Sequence, residues 1–153
     1  MRHWSLKYFF VLILVLIVSC AQANVINQEY IQPPINLTIT KDLAGNFTLT
    51  FFSDNREGGF SGYGIFQDPS PDVLKTNTPA DSVSAAAAFC PLNGQMVYER
   101  NVSMYVSAGT AASTAAICNV SNYALTTGNY VALRARVERT TNSWSKATVV
   151  LIP

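Results

Sequence analysis

The stretch NFTLTFFSDNREGGFSGYGIF, residues Asn46–Phe66, decides the fold of this chain. Phe47, Leu49 and Phe51 alternate with threonine and phenylalanine, so one face of the segment is consistently large and apolar. This period of two is typical of a β-strand with one buried face. A polar loop follows, and a second apolar segment begins near Gly62. The stretch therefore predicts two consecutive core strands joined by a loop.

The same alternation appears on both sides of this stretch. Upstream it occupies residues 35–39, and downstream it returns in residues 102–107, 130–138 and 144–151. Short alternating segments separated by turns favour an all-β fold over an α/β fold. The sequence therefore predicts a two-sheet antiparallel β-sandwich.

Residues 68–94 interrupt the alternation. Pro69, Pro71 and Pro79 would each remove a ladder hydrogen bond, so no regular strand is expected around them. The alanine run after Asp81 predicts a short helix, because alanine has the highest helix propensity and an aspartate or serine caps a helix start.

The first residues of the sequence have the pattern of an export signal. Arg2, His3 and Lys7 precede an apolar run from Tyr8 to Val18. The run is shorter than the roughly twenty residues that span a bilayer as a helix. It also has no polar face, which disfavours a buried core helix. We therefore expect a signal peptide.

Two cleavage positions remain open. Ala21-Gln22-Ala23 is a small-x-small site, and cleavage after residue 23 would release a soluble chain. Ile17-Val18-Ser19-Cys20 resembles a bacterial lipobox, in which Cys20 becomes a lipidated first residue. The lipobox interpretation divides the chain into a signal peptide (1–19), a tether (20–33) and a domain (34–153).

The order of these segments resembles that of fibronectin type III domains. Two prolines followed by Ile35-x-Leu37-x-Ile39 resemble strand A, Phe47-x-Leu49-x-Phe51 resembles strand B, and Gly62-Tyr63-x-Ile65-Phe66 resembles strand C. Leu133-Arg134-Ala135 resembles strand F, and Asn142-Ser143-Trp144-Ser145 resembles the entry to strand G. The resemblance implies an immunoglobulin-like sandwich with a binding or adhesive role. Two features depart from the family pattern. Tyr130 is out of phase with the apolar side chains of its strand, and residues 68–94 are longer than the usual connection between strands C and E.

Two cysteines, Cys90 and Cys118, remain after export under either cleavage. A pair of cysteines in an exported chain most simply forms one disulfide. This bond would join two of the least periodic segments of the sequence. We therefore expect a structural disulfide between them.

Composition argues against catalysis, metal binding and nucleic-acid binding. The one histidine, His3, lies in the export segment, so the exported chain lacks the usual general base and a common metal ligand. Without Arg2 and Lys7, eight basic residues face nine acidic ones, a net charge of about −1 that does not attract nucleic acid. The acids of the loop, Asp54 and Glu57, are expected to be solvated turn residues. We expect no enzyme activity, no cofactor and no metal.

A candidate binding surface combines charged and aromatic residues: Asp54, Arg56, Phe60, Tyr130, Arg134 and Arg136. Arg134 and Arg136 are expected to project from one face of a strand. Two arginines beside an aromatic ring suit recognition of a carboxylate or a glycan. The alternative is an ordinary solvated sheet face with cross-strand pairs.

Four Asn-x-Ser/Thr sequons begin at Asn36, Asn46, Asn101 and Asn119. Asn36 and Asn46 are expected to face outward, which permits glycans. A eukaryotic source would favour a glycosylated secreted domain.

The sequence thus predicts a small surface lipoprotein, held at the cell envelope by Cys20, whose single domain binds a protein or glycan. The alternative is a soluble secreted binding or inhibitory module.

Overall fold

The computed structural model describes residues 30–138 and 143–153. The signal peptide 1–19, both cleavage positions, Cys20 and most of the tether lie outside the described residues. One compact unit extends from Ile31 to Pro153. It begins three residues before the sequence-based boundary at 34, because Ile31 is buried in the core. Within the described part, no helix is long and apolar enough to cross a membrane.

The unit is a β-sandwich of two four-stranded sheets. The strands are β1 (Ile35–Lys41), β2 (Phe47–Asn55), β3 (Phe60–Asp68), β4 (Ala88–Pro91), β5 (Val97–Val106), β6 (Cys118–Val120), β7 (Tyr130–Val137) and β8 (Thr148–Leu151). Sheet 1 has the order β1-β2-β5-β6, and sheet 2 has the order β4-β3-β7-β8. All neighbours pair antiparallel except β5 and β6, which pair parallel. The predicted all-β two-sheet sandwich is confirmed.

The core is filled by the alternating side chains that the sequence pattern indicated. Phe47, Leu49 and Phe51 of β2 are buried. Tyr63 and Ile65 of β3 enter the same core cluster from sheet 2. The rings of Phe51 and Tyr63 meet edge to face, with centroids 4.9 Å apart. The strands therefore pair within sheets by backbone bonds, while apolar burial holds the two sheets together.

The Cys90–Cys118 disulfide joins the edge strands β4 and β6, one from each sheet, across 6.0 Å between Cα atoms. The predicted disulfide is confirmed. It closes a loop with a sequence separation of 28 residues, for which chain entropy gives about 3.5 kcal/mol of stabilisation. On the opposite side of the sandwich, the Thr148 hydroxyl donates to the Pro34 carbonyl. Both open sides of the sandwich are therefore tied.

Residues 68–94 contain a short helix, but it does not form at the alanine run as predicted. α1 spans Pro71–Thr76, with Pro71 in the first turn, Asp72 near its start and Lys75 in its last turn. Proline is favoured at a helix start because its missing N–H has no acceptor there. The alanine run forms only a 3₁₀ turn, Val83–Ala85. The backbone after that turn pairs with β3 instead, and this tertiary pairing overrides alanine's helix propensity.

Candidate functional site

A β-bulge gathers charged and aromatic side chains where β2 ends. Ser53 pairs with Arg100 and Asn55 pairs with Val97, so Asp54 alone faces two residues of β5. Those two residues are Tyr98 and Glu99, and Glu99 has a φ of 22°. A bulge of this kind turns side chains away from regular alternation. It places β5 side chains beside the loop that carries Arg56.

Arg56 bridges two carboxylates across this bulge. Its Nη2 lies 2.5 Å from Oδ2 of Asp54 and 3.0 Å from Oε1 of Glu99. The Arg56 hydrogen bond lowers the pKa of Asp54, and the backbone N–H of Glu99 lowers it further. The same contact with Asp54 raises the pKa of Arg56. Exposed ion pairs add little stability, so their main effect here is to hold the loop in one conformation.

Exposed apolar groups lie next to these charges. Tyr98 is 59% exposed and Met96 is 40% exposed. The Tyr98 hydroxyl lies 3.4 Å from the Met96 sulfur, and the guanidinium of Arg56 lies 5.9 Å from the centre of the Tyr98 ring. We call Asp54, Arg56, Met96, Tyr98 and Glu99 the bulge patch. Tyrosine, methionine and arginine are the residues enriched in binding surfaces.

Sequence reasoning found two members of the bulge patch and missed three. Asp54 and Arg56 were predicted from their loop, whereas Tyr98 and Glu99 lie on β5 and Met96 directly precedes it, 40 residues or more away in sequence. The missing signal was the register of β2 against β5, which pairs Ser53 with Arg100. A shallow depression of about 450 Å³ adjoins the patch, lined by Gly94, Gln95, Met96, Tyr98 and Arg100.

Two residues of the same loop are buried and do not reach the surface. Phe60, a predicted contact residue, is only 2% exposed, and its ring packs 5.3 Å from that of Tyr63. Glu57, expected to be solvated, is 9% exposed. Its Oε1 accepts a hydrogen bond of 2.7 Å from the backbone N–H of Gln32. Glu57 therefore fixes the segment before β1 and is not paired with Asp54.

A buried polar network fills the core beneath this loop. The hydroxyls of Ser53 and Tyr63 lie 2.5 Å apart, and both hydroxyls reach Oδ1 of Asn55. The Asn55 amide donates to the Gln32 carbonyl at 2.9 Å. Burial raises the pKa of the Tyr63 phenol, which stays neutral at physiological pH. The network satisfies every polar group it contains and holds the loop base rigid.

Arg134 is buried on the outer face of sheet 2. It is 6% exposed. Its Nη1 donates to the Ser145 carbonyl at 2.8 Å, and its Nη2 donates to the carbonyls of Leu74 and Asn77 at 2.7 and 2.8 Å. Leu74 lies on α1, so the helix covers this arginine. The solvated sheet face considered from the sequence is absent at this position.

Arg136 is covered by Trp144. It is 8% exposed, and its guanidinium lies 5.7 Å from the Trp144 ring. Its Nη1 donates to the Ser61 hydroxyl at 3.2 Å and lies 3.8 Å from Oε1 of Glu138. Tyr130, at the start of β7, is half-buried. The two arginines and Tyr130 therefore do not form an exposed stripe.

Every sequon asparagine belongs to sheet 1 or its turns. Asn36 lies on β1 and Asn46 precedes β2, while Asn101 and Asn119 lie on β5 and β6. Asn36, Asn101 and Asn119 are exposed, and Asn46 is half-exposed. The outward orientation expected for Asn36 and Asn46 agrees with this exposure.

The described residues thus provide an exposed bulge patch on one end of the sandwich and a covered arginine pair on sheet 2. In the part of the chain that the structure describes, no three potential metal ligands cluster. No protein-family model, no curated protein and no solved structure matches this chain.

Proposed function

We propose that the chain is a small surface-anchored lipoprotein whose single fibronectin type III-like domain binds a protein or glycan through the bulge patch, without catalysis. The observation that carries this proposal is the exposed group of Arg56, Met96 and Tyr98, which the bulge and the ion pairs of Arg56 hold in place. A surface ordered before binding loses less conformational entropy when a partner arrives. The buried network beneath it supplies a rigid base.

Support for the anchor comes from the sequence. The apolar run and the lipobox-like residues ending at Cys20 indicate lipidation. The compact unit begins at Ile31, and an eleven-residue tether from Cys20 has a reach of at most about 40 Å when fully extended. The bulge patch lies at the end of β2, the end at which Gln32 meets Glu57. The described chain therefore enters the sandwich at the same end as the bulge patch, and the tether length would set how far that end stands from a membrane.

The strand order supports the family assignment. β1, β2 and β5 match strands A, B and E of an immunoglobulin-like sandwich, and β4-β3-β7-β8 matches C′, C, F and G. β6 is the departure, because it adds a parallel strand beside β5. The disulfide from β4 to β6 ties this extra strand to the opposite sheet.

Intact mass tests the anchor. The protein is isolated from its native host under non-reducing conditions and weighed by mass spectrometry. A lipid-sized excess on a chain that starts at Cys20 is the expected result. A chain that starts at Asn24 without lipid would contradict the anchor and leave the binding role untouched.

Patch variants test the binding role. The domain is screened against a printed glycan array and a panel of extracellular proteins, and each saturable binder is then measured with Tyr98→Ala and Arg56→Gln. Each variant is expected to weaken binding at least about tenfold, the loss typical of a central aromatic or arginine contact. Leu43→Ala is the control, since Leu43 is fully exposed at the opposite end of β2. Equal binding by all three variants would refute the assignment of the bulge patch as the binding surface.

A soluble secreted module is the second candidate, and the sequon positions favour it. Four exposed or half-exposed asparagines lie on sheet 1 or its turns and leave sheet 2 free of sequons, with Asn101 two residues from Glu99 of the bulge patch. In a eukaryotic host this arrangement would place glycans on sheet 1 and leave sheet 2 open. Mass increments in hexose units on a chain starting at Asn24 would establish this alternative.

A further inference from the structure

A pocket lies over the outer face of sheet 2, away from the bulge patch. Its volume is about 340 Å³, within the range of small-molecule sites. Phe66 and Arg134 form the floor, α1 contributes Val73 and Leu74 to one wall, and residues 84–87 form the other wall. The pocket lining therefore combines apolar side chains and one guanidinium group with four other polar residues, Gln67, Asp68, Asn77 and Ser84.

Arg134 carries a buried charge with no anionic partner among the described residues. Its three hydrogen bonds all end on backbone carbonyls. A guanidinium has five N–H donors, so Nε–H and one Nη1–H have no described acceptor. Burial lowers the pKa of Arg134, which reflects the cost of holding the charge there. The Phe66 ring, 5.7 Å from the guanidinium, offsets part of that cost.

The acidic residue of the pocket does not neutralise Arg134. Asp68 lies on the rim, and its Oδ1 accepts a hydrogen bond of 2.8 Å from the backbone N–H of Ser70. Within the described residues, Asp68 forms no ion pair with Arg134. The ion pairs found there join Arg56 to Asp54 and Glu99, and Arg136 to Glu138. A buried charge of this kind is stabilised most by an opposite charge that also fills its remaining donor positions.

The geometry points to this pocket as a binding site for a small organic carboxylate with a compact apolar body. The carboxylate would accept a hydrogen bond from one of the two remaining N–H groups of Arg134, because the Nε–H and the Nη1–H point away from different edges of the guanidinium. Its apolar part would contact Phe66, Val73 and Leu74. This activity is separate from the bulge patch, which lies where β2 ends, so either assignment can fail without the other.

The test is a titration of the mature chain with benzoate, phenylacetate and hexanoate, with benzamide as the neutral counterpart of benzoate. Two-dimensional NMR follows the backbone amides of α1 and the Nε–H of Arg134. At least one carboxylate is expected to bind saturably at millimolar concentration or below and to shift the Arg134 signal. Benzamide is expected to bind at least about tenfold more weakly than benzoate, a free-energy difference of about 1.4 kcal/mol.

Two variants with matched exposure separate the pocket from a general surface effect. Val73→Trp fills the pocket mouth, because Val73 lines it and is 42% exposed. Val83→Trp is the control, since Val83 is 40% exposed and lies outside the lining. Val73→Trp is expected to weaken carboxylate binding at least about tenfold, whereas Val83→Trp retains it. Neither change requires Arg134 to be altered, so a folding defect at the arginine does not obscure the result.

Three results would each overturn the site: equal affinity for benzamide and benzoate, unchanged binding in Val73→Trp, or no saturable binding by any of the three carboxylates. Arg134→Gln adds a direct measurement if its circular dichroism matches that of the unaltered chain. In a folded Arg134→Gln variant, retained carboxylate binding would also overturn the site.

Discussion

Gly64 lies directly beneath the Trp144 indole that covers the outer face of sheet 2, so one added atom there would strike the ring. A Cβ at Gly64 would lie 2.4 Å from Cζ3 and 2.6 Å from Cη2 of Trp144, and 3.1 Å from Cβ of Ala86. Ordinary contact begins near 3.4 Å, so Gly64→Ala forces the ring to move by about 1 Å. The indole has defined partners that this movement disrupts.

The cost can be worked out from those partners. The Trp144 Nε1–H donates to the Ala80 carbonyl at 2.9 Å, a bond with a net value of about 1 kcal/mol. Its ring meets Phe66 edge to face at 5.3 Å, which contributes about 1 kcal/mol. Its contact with Arg136 contributes about 0.5 kcal/mol more. We expect Gly64→Ala to lower the free energy of unfolding by about 2 kcal/mol, the usual scale for overpacking.

Urea denaturation measures this change, and a double-mutant cycle identifies its cause. Trp144 is the one tryptophan among the described residues, so in a chain that begins at Asn24 its fluorescence reports directly on the ring. Circular dichroism follows unfolding in the Trp144→Ala background, where Gly64→Ala is expected to cost less than about 0.5 kcal/mol. Gly58→Ala is the control, because nothing lies within 4 Å of a Cβ there. An equal cost in both backgrounds would refute the clash with Trp144.

Three further predictions concern the core. Leu49→Asp buries an unpaired carboxylate at a position with 0% exposure and should prevent folding. Thr48 is half-exposed on the opposite face, so Thr48→Asp should fold. Similar circular dichroism spectra for the two variants would refute the assignment of the buried face of β2. Replacing both Cys90 and Cys118 with alanine should lower the free energy of unfolding by about 3 kcal/mol, and a reducing agent should then destabilise only the unaltered chain. Tyr63 should stay protonated above its ordinary pKa of 10.0. Its burial as a neutral phenol therefore contributes stability that is present below pH 10 and lost as pH rises further; an absorbance change near pH 10 that Tyr63→Phe removes from the folded chain would contradict this.

The alternating segments were predictable because one short-range rule determines them. In β2, the phase of Phe47, Leu49 and Phe51 fixes which face is buried. β6 could not be predicted from alternation, because Cys118–Val120 is a three-residue strand held by its parallel pairing to β5. α1 had a readable start in Ser70-Pro71-Asp72, but prolines there were interpreted as strand breakers. Short elements that depend on tertiary pairing carry little signal of their own.

The site was predictable only in part, for a related reason. The outward phase of Arg134 and Arg136 on β7 was correct, since neither belongs to the core cluster between the sheets. Their burial depends on α1 and Trp144, which come from distant parts of the chain and cover that face. Strand periodicity says which face a side chain occupies, but it does not say what covers the face.

The bulge explains how a chain with few charges concentrates them. Charged residues make up 12% of the sequence, yet Asp54, Arg56 and Glu99 meet within hydrogen-bond distance. In a regular ladder Asp54 would face a single β5 residue, and the extra residue is what brings the backbone N–H of Glu99 to its carboxylate. Deleting Glu99 would restore that regular pairing, with Asp54 opposite Tyr98, and would remove both the second carboxylate that Arg56 contacts and the backbone N–H that donates to Asp54. The inserted residue therefore supplies the second carboxylate that holds the Arg56 guanidinium beside the Tyr98 ring.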